Sequence, residues 1–192
     1  MSAASTLLTA RLMLRAPSPE LAPAVLDYQQ RNRAHFAPWD PPYPDDHFQL
    51  AAVTERLCQG ELAFAAGSAY RYWFSHRDDP ARLIGQAQIS QVARAAFQNA
   101  MLGYSLDQDA QGSGLMQEAL LAVLAQMFGP AVRLHRIQAA VRPENRRSRA
   151  LLQRLGFEQE GLSRRYLFIN GQWRDHEVHA LLNRDWPQDL AP

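Results

Sequence analysis

Lysine is missing from this sequence: all 20 of its Lys+Arg residues are arginine. No side-chain amine is therefore available for Schiff-base chemistry or for the lysine of a phosphate-binding P-loop. A GC-rich coding sequence is sufficient to produce that bias. Cysteine is almost missing too. Cys58 stands alone, which rules out an intrachain disulfide and a thiolate zinc site and fits a reducing compartment. Long apolar runs are absent, and the longest, such as residues 119–125, falls far short of the roughly 20 residues that cross a bilayer. Residues 1–10 have no basic stretch ahead of an apolar one, so no secretory signal is expected and a cytoplasmic, membrane-free protein is. Strong charge of either sign is lacking as well: the formal net charge is +1. With an isoelectric point near 8.0, the chain as a whole does not read as a partner for DNA or another polyanion.

What is present is an ordinary folding composition. The chain has 192 residues, 47% of them hydrophobic and 20% charged, with a mean hydropathy of −0.35. That predicts one globular domain over residues 1–192, without repeats or low-complexity blocks. Leu8, Ala10, Leu12 and Leu14 alternate and predict a first strand over residues 6–15. Ser18 as N-cap and Pro19 behind it open a helix to about residue 31. Residues 35–46 hold four prolines with Phe36, Trp39 and Tyr43, and read as a loop whose aromatics pack locally or line a pocket mouth. A second helix is predicted over residues 46–60, with Gly60 near its cap. Strands follow at 69–75, 83–92 and 97–106. Leu115, Met116, Ala119, Leu120, Val123, Leu124, Met127 and Phe128 recur at helical spacing up to Gly129. A buried strand at 136–141 and a helix at 145–155 come next. Residues 164–169, the Asn170-Gly171 pair and residues 173–182 read as a hairpin with a tight primed turn. The class is mixed α/β (α+β) with mainly antiparallel strands.

The segment Asp109-Ala110-Gln111-Gly112-Ser113-Gly114-Leu115-Met116 joins a strand to the long helix. Its glycines permit a tight turn, and the free N–H groups and positive dipole end of the helix suit a phosphate. A dinucleotide fingerprint needs glycine where Gln117 stands, and a P-loop needs lysine, so the cradle is of another kind. Downstream, Asn145 and Ser148 lie three apart at a helix start and share a face. They can meet one ligand together, or simply be an N-cap and a first-turn polar residue.

These segments carry a resemblance. Leu102-Gly103-Tyr104, then Gln111 to Met116 with Glu118-Ala119-Leu120, then Asn145, Ser148 and Leu155-Gly156-Phe157, resemble the GNAT superfamily of acetyl-CoA-dependent N-acetyltransferases. Glu160-Gly161, Arg165-Tyr166-Leu167 and the run Asn170-Gly171-Gln172-Trp173-Arg174-Asp175-His176, with Asn32, Phe36, Pro38 and Trp39 upstream, are similar to its RimJ/RimL branch. The likeness runs from about residue 8 to residue 186. It implies a GNAT fold: a twisted, mostly antiparallel sheet of about six or seven strands with about four helices. The implied activity is direct transfer of an acetyl group from acetyl-CoA to the N-terminal amine, alanine, of a ribosomal protein, without an acyl-enzyme. Ribosome association and a monomer or homodimer go with that reading.

On this sequence the resemblance implies cofactor contacts at Leu102, Gly103, Tyr104, Ser105 and Leu106, and at Gln111, Gly112, Ser113, Gly114, Leu115 and Met116. Asn145 would hold the pantetheine arm, and Ser148 would donate a proton to the departing thiolate. An amide near Leu102 or Gly103 would polarise the thioester carbonyl. His35, Trp39, Asp40, Arg165, Tyr166 and Trp173 are the candidates for an acceptor groove, against the alternative that the two tryptophans are core and Arg165 solvated. Many relatives place a glutamate as general base where Met101 stands here. An α-amine, with a pKa of about 7.7–8.0, needs a strong base less than a lysine amine at about 10.4, and a water relay to Asp175, Glu160 or Asp40 stays open. Cys58 is expected in the core. His176 and His179, three apart on a strand, point to opposite faces and predict no metal site. Two alternatives remain: a small-molecule amine or antibiotic as acceptor, and an RNA-binding module using Arg142, Arg146, Arg147, Arg149 and Arg154.

Overall fold

Eight strands form one sheet in the order β1-β2-β3-β4-β5-β6-β8-β7, described by a computed structural model over residues 3–187. Residues 1–2 and 188–192, which belong to the expected N-terminal segment and domain span, lie outside the described residues. The strands are β1 (Thr6–Leu8), β2 (Leu12–Arg15), β3 (Tyr70–His76), β4 (Leu83–Ala93), β5 (Asn99–Leu106), β6 (Arg136–Val141), β7 (Glu158–Ile169) and β8 (Gln172–Leu182). The helices are α1 (Ala22–Arg31), α2 (Arg33–Phe36), α3 (Leu50–Ala66), α4 (Leu115–Phe128) and α5 (Arg146–Arg154). Every neighbouring pair of strands is antiparallel except β5 and β6.

The mixed, mostly antiparallel α/β class is the one the sequence predicts; several boundaries differ, each for a local reason. The first strand is a hairpin. Thr9 N donates to Leu12 O at 2.9 Å, and Leu12 N returns a bond to Thr9 Oγ1 at 2.9 Å, which reverses the chain at residues 9–12. Leu8 is consequently exposed while Leu12 and Leu14 are fully buried. The second helix starts later and runs past Gly60, because Gly60 is the contact point with Pro17: a Cβ there would lie 3.1 Å from the proline ring. Gly67, with φ +69°, is the left-handed cap. The first helix opens as predicted at Ser18 and Pro19, but as a single 3-10 turn ahead of α1. Strand β7 starts at Glu158 rather than at 164 and carries two register shifts. The turn at Asn170 and Gly171 has positive φ at both residues, as a primed hairpin turn requires.

Side chains from the two faces of the sheet build two cores. Tyr70, Tyr72 and Phe74 of β3 face one side with Leu115, Ala119, Leu120, Val123, Met127, Leu151 and Leu152 of α4 and α5. Trp73 faces the other with Val25 and Tyr28 of α1 and Val53 and Leu57 of α3. The apolar stripe of α4 is buried as its spacing predicts, and burial of each large side chain stabilises by about 1.5–3 kcal/mol. The sheet thus has a face backed by α4 and α5 and a face backed by α1 and α3, and the functional geometry depends on that separation.

β4 is fixed against β3 at one tight spot. A Cβ added to Gly85 would fall 2.3 Å from the Phe74 ring and 3.0 Å from Ser105 O. Gly85→Ala is therefore expected to lower unfolding free energy by about 1–3 kcal/mol, the cost of overpacking a filled core. Urea unfolding of the two proteins side by side checks this, and equal midpoints would refute it.

Candidate active site

The centre of the sheet comes apart. β5 pairs with β4 continuously from Met101 to Leu106 and again at Asn99, beyond a register shift. With β6 it pairs only at Asn99, Ala100 and Met101. From Leu102 to Leu106 the β6 side of β5 has no strand beside it. Backbone N–H and C=O groups along such an edge are left to solvent or to a ligand that pairs with them. This is the stretch Leu102, Gly103, Tyr104, Ser105 and Leu106 to which the resemblance assigns cofactor contacts.

The edge leads directly into the glycine turn. Gly112 and Gly114 have φ +83° and +79°, a region that residues with a Cβ adopt only at a cost. A Cβ at Gly112 would meet nothing within 4 Å, so the turn is open. Gly114 is the N-cap residue of α4 and supplies no side-chain cap, which leaves the first amides of that helix, at Leu115 and Met116, available to an anion. Ser113 Oγ donates to Ala110 O at 3.0 Å and stiffens the turn. At the near end, Arg31 of α1 donates to buried Asp107 at 2.8 Å, and Gln108 N donates to Asn32 Oδ1 at 3.0 Å. Burial raises the Asp107 carboxyl, but the Arg31 guanidinium, the Asp109 N–H and the Asn32 side chain together outweigh it and hold the group below its usual range.

Two arginines border the turn. Arg11 pairs with Glu118 at 2.6 Å and donates to Ser113 O at 2.9 Å. Glu118 also accepts from Thr9 Oγ1 at 2.6 Å, so the β1–β2 hairpin is clamped to the first turn of α4. Arg147 donates to the side-chain oxygen of Gln111. That bond fixes the orientation of the Gln111 amide, whose nitrogen then donates to His35 Nε2 at 2.7 Å. His35, expected in the acceptor groove, therefore touches the glycine turn. Open glycine backbone, free helix amides and flanking guanidinium groups form a donor set that suits a diphosphate.

Across the opening stands the start of α5. Asn145 is its N-cap: its Oδ1 accepts from Ser148 N at 3.1 Å. The bland reading of Asn145 thus holds for that oxygen, while its Nδ2 has no partner among the described residues. Ser148 Oγ lies 2.5 Å from the hydroxyl of Tyr104. Burial pushes the Tyr104 phenol up to about 12, so it stays protonated at neutral pH and can donate. Met101, Gly103 and Ser105 alternate with Tyr104 along β5 and face the α1–α3 side. Gly103 is exposed there, with nothing within 4 Å of a Cβ position.

The remaining acceptor candidates divide. Trp39 lies under Arg142, whose guanidinium carbon is 5.2 Å from the ring centroid, and Arg142 Nη1 donates to Pro38 O at 2.6 Å. Tyr166 packs on His176 at 5.4 Å. Arg165, at φ +49° in the β7 register shift, donates its N–H to Asp175 Oδ1 at 2.8 Å. Trp173 is 60% exposed and pairs with Phe168 near the hairpin tip, so it is not a core aromatic. Asp40 accepts from the Tyr43 hydroxyl, and burial raises its pKa. Of the three carboxylates considered as relay bases, Glu160 is held by Arg136 on the surface and Asp175 by the Arg165 amide. Asp40, by contrast, is half-buried and bonded to Tyr43.

Of the five arginines considered for RNA, four have intramolecular partners: Arg142, Arg147, Arg154 with Gln117, and Arg149 with Glu177 at 2.7 Å. Among the described residues no group of three metal-ligating side chains occurs, and no helix is long and apolar enough to cross a membrane. Cys58 is half-buried on α3. The residues that sequence reasoning missed are Arg11, placed by a contact 107 positions along the chain, and the hydroxyl of Tyr104, whose backbone alone was considered. Neither has a local signal; only the fold brings them to the site.

The sequence matches the family described as Acetyltransferase (GNAT) domain over residues 11–158. It is 41% identical to the [Ribosomal protein uS5]-alanine N-acetyltransferase of Escherichia coli K12, over 94% of this chain and 92% of that one. The crystal structure of ribosomal-protein-S5-alanine acetyltransferase from Vibrio fischeri superposes with a TM-score of 0.90 at 33% identity, covering 95% of this chain and 98% of that one. Mycobacterium smegmatis RimJ, solved in complex with CoA-disulfide, gives a TM-score of 0.83 at 31% identity, with 92% and 84% covered. A parted central strand, an open glycine turn and likeness over nearly the full length agree: the chain belongs to the GNAT family of acetyltransferases.

Proposed function

We propose that this protein acetylates the N-terminal α-amine, alanine first, of a ribosomal protein in the cytoplasm, with acetyl-CoA as donor. The observation that carries the chemistry is the unpaired edge of β5 running into the open turn at Gly112 and Gly114. The choice of acceptor is supported by 41% identity to the uS5-alanine enzyme over nearly the whole chain.

Acetyl-CoA supplies an activated thioester; the protein supplies position and protons. The amides of Gly112 to Met116, with Arg11 and Arg147 alongside, bind the diphosphate. The free edge at Leu102–Leu106 pairs with the pantetheine amides, and Asn145 Nδ2 donates to the same arm. A β5 amide at Leu102 or Gly103 donates to the carbonyl oxygen, where negative charge develops. The donor then fills the side of the gap backed by α4 and α5, so the amine enters from the α1–α3 side over Gly103. As the C–N bond forms and the C–S bond breaks, Ser148 Oγ gives its proton to the leaving sulfur and recovers one from Tyr104, whose phenol takes a proton back from solvent. The nitrogen's proton leaves through solvent or toward Asp40. No carboxylate stands at Met101 to strip an ammonium ion, so the acceptor has to arrive partly neutral, as an α-amine does.

Ser148→Ala is expected to lower kcat by about a hundredfold, within the range for a lost general acid, while calorimetry finds CoA affinity nearly unchanged. Thiol release at the wild-type rate would remove Ser148 from the mechanism. Tyr104→Phe should slow turnover less, because the serine hydroxyl remains.

The pH profile has a definite sign. Tyr104 does not ionise in the working range, so the rising limb should follow the acceptor's own pKa. It should lie near pH 8 for an alanine-first peptide and move upward for an ε-amine of pKa about 10.4. Superimposable limbs for the two acceptors would contradict the missing-base argument. Peptides starting with Ala, Ser or Met, run beside small amines, decide the acceptor class: turnover of small amines alone would overturn the peptide reading.

A further inference from the structure

Away from the gap, a cavity of ≈ 350 Å³ lies between α1, α3 and the outward face of β3 and β4, with Gln29, Arg56, Arg71, Trp73 and Gln88 in its wall. Its hydrogen-bonding is one-sided. Arg71 donates to Gln88 Oε1, while Arg56 donates to Gln29 Oε1 at 3.3 Å and to His47 O at 2.8 Å. All of these acceptors are neutral, and neither guanidinium has an ion-pair partner among the described residues. Glu55 also reaches the wall, but it is exposed and engaged by Gln59 Nε2 at 2.8 Å. Asp46 acts on Arg56 only at a distance. The indole N–H of Trp73 is buried without a partner.

The surroundings keep this charge positive. Burial first, and then the field of Arg56, draws Arg71 down to about 10, which leaves it protonated at neutral pH. Burial and Arg56 push His47 down to about 4, so it adds no charge of its own. Two cations with only neutral acceptors, beside an unsatisfied donor, are the surroundings an anion completes.

The cavity is also aligned with the reaction centre. In the register of the sheet Arg71 stands across from Gln88, and Gln88 across from Gly103. All three lie on the α1–α3 face, the one left to the acceptor. Two strand spacings put Arg71 about 10 Å from Gly103, which is about three residues of extended peptide.

We infer that this cavity is the subsite for an acidic side chain on the acceptor, a carboxylate carried at residues two to four of the peptide whose α-amine is acetylated. The inference rests on the N-terminal acetyltransferase reading above. The alanine-first end sits over Gly103, the chain extends across β4, and the carboxylate accepts from Arg71, Arg56 and Trp73 Nε1.

The test compares alanine-first peptides carrying Glu at position two, three or four with the matching Gln peptides, at low salt. With wild-type protein, at least one Glu peptide should exceed its Gln counterpart in kcat/KM by about ten- to a hundredfold, the range for a hydrogen bond to a charged group. Arg71→Gln should collapse that ratio toward one. Arg56→Gln, at the more open side, should reduce it and guards against a folding defect in the first variant. Equal use of Glu and Gln peptides by an active wild type overturns the inference, as does a ratio that survives both substitutions. Glutarate that raises the wild-type melting temperature, but not that of Arg71→Gln, with no peptide discrimination, assigns the cavity to a free anion and overturns it too. If small amines are acetylated and no peptide is, the parent reading falls and this one falls with it, a result distinct from the others.

Discussion

The pairing of β5 with β6 ends after three residues, and the rest of the site is arranged around that ending. A sheet interior normally satisfies every backbone group, and an open edge there is costly unless something fills it. Here β5 keeps its ladder to β4 from Met101 to Leu106 while the one to β6 stops at Met101. It remains rigidly placed while offering a line of donors and acceptors into a gap. The opening is bridged by the core on the α4–α5 face, which reaches both halves of the sheet. α4 holds the β1–β5 side through Leu120 and Val123, and α5 backs the β6–β8 side through Leu152 and the Arg149–Glu177 pair.

The gap has directionality because its two mouths differ. On the α4–α5 side lie the positive end of a helix, open amides and the Ser148–Tyr104 hydroxyl pair. On the α1–α3 side lie a bare glycine, an amide-rich strip of β4 and a cavity with unpaired cations. One mouth matches a phosphorylated thioester and the other an amine followed by peptide. Tyr28 of α1, bonded to Ser105 Oγ at 2.9 Å, and Arg31, bonded to Asp107, show how closely the first helix is tied to the strand whose edge is left open.

Much of this was legible in the sequence because it is written locally. The apolar spacing of α4, the paired glycines ahead of it, the N-cap at Asn145 and the Asn170-Gly171 turn are each set by residues within one or two turns of one another. The errors arose where a distant contact overrides local pattern. Gly60 looked like a helix end, but its missing side chain makes room for Pro17. The alternation from Leu8 to Leu14 looked like one strand, but Thr9 bends it and Glu118 holds the bend. Seven strands became eight for that reason. The bond between His35 and Gln111 spans 76 positions, so no local pattern announces that this acceptor-groove candidate also meets the glycine turn. Unpaired charge in the Arg56–Arg71 cavity has no local signature, since it depends on which side chains fail to meet.

The lack of lysine gains meaning in this light. A guanidinium presents its donors as a planar fork and can serve two acceptors on different elements, which a single ammonium at the end of a flexible chain does less rigidly. Arg31 joins α1 to both Asp107 and Leu83 O. Arg142 joins the β6–α5 connection to Pro38 and covers Trp39. Arg11 joins the first hairpin to Glu118 and Ser113. In each case a loop that borders the gap is held by a fork rather than by packing alone. Whatever bias in the coding sequence favours arginine, the fold has put it to structural use. Two of the arginines without a carboxylate stand at the mouths of the gap, Arg147 bonded to Gln111 of the glycine turn and Arg71 two strands across from Gly103.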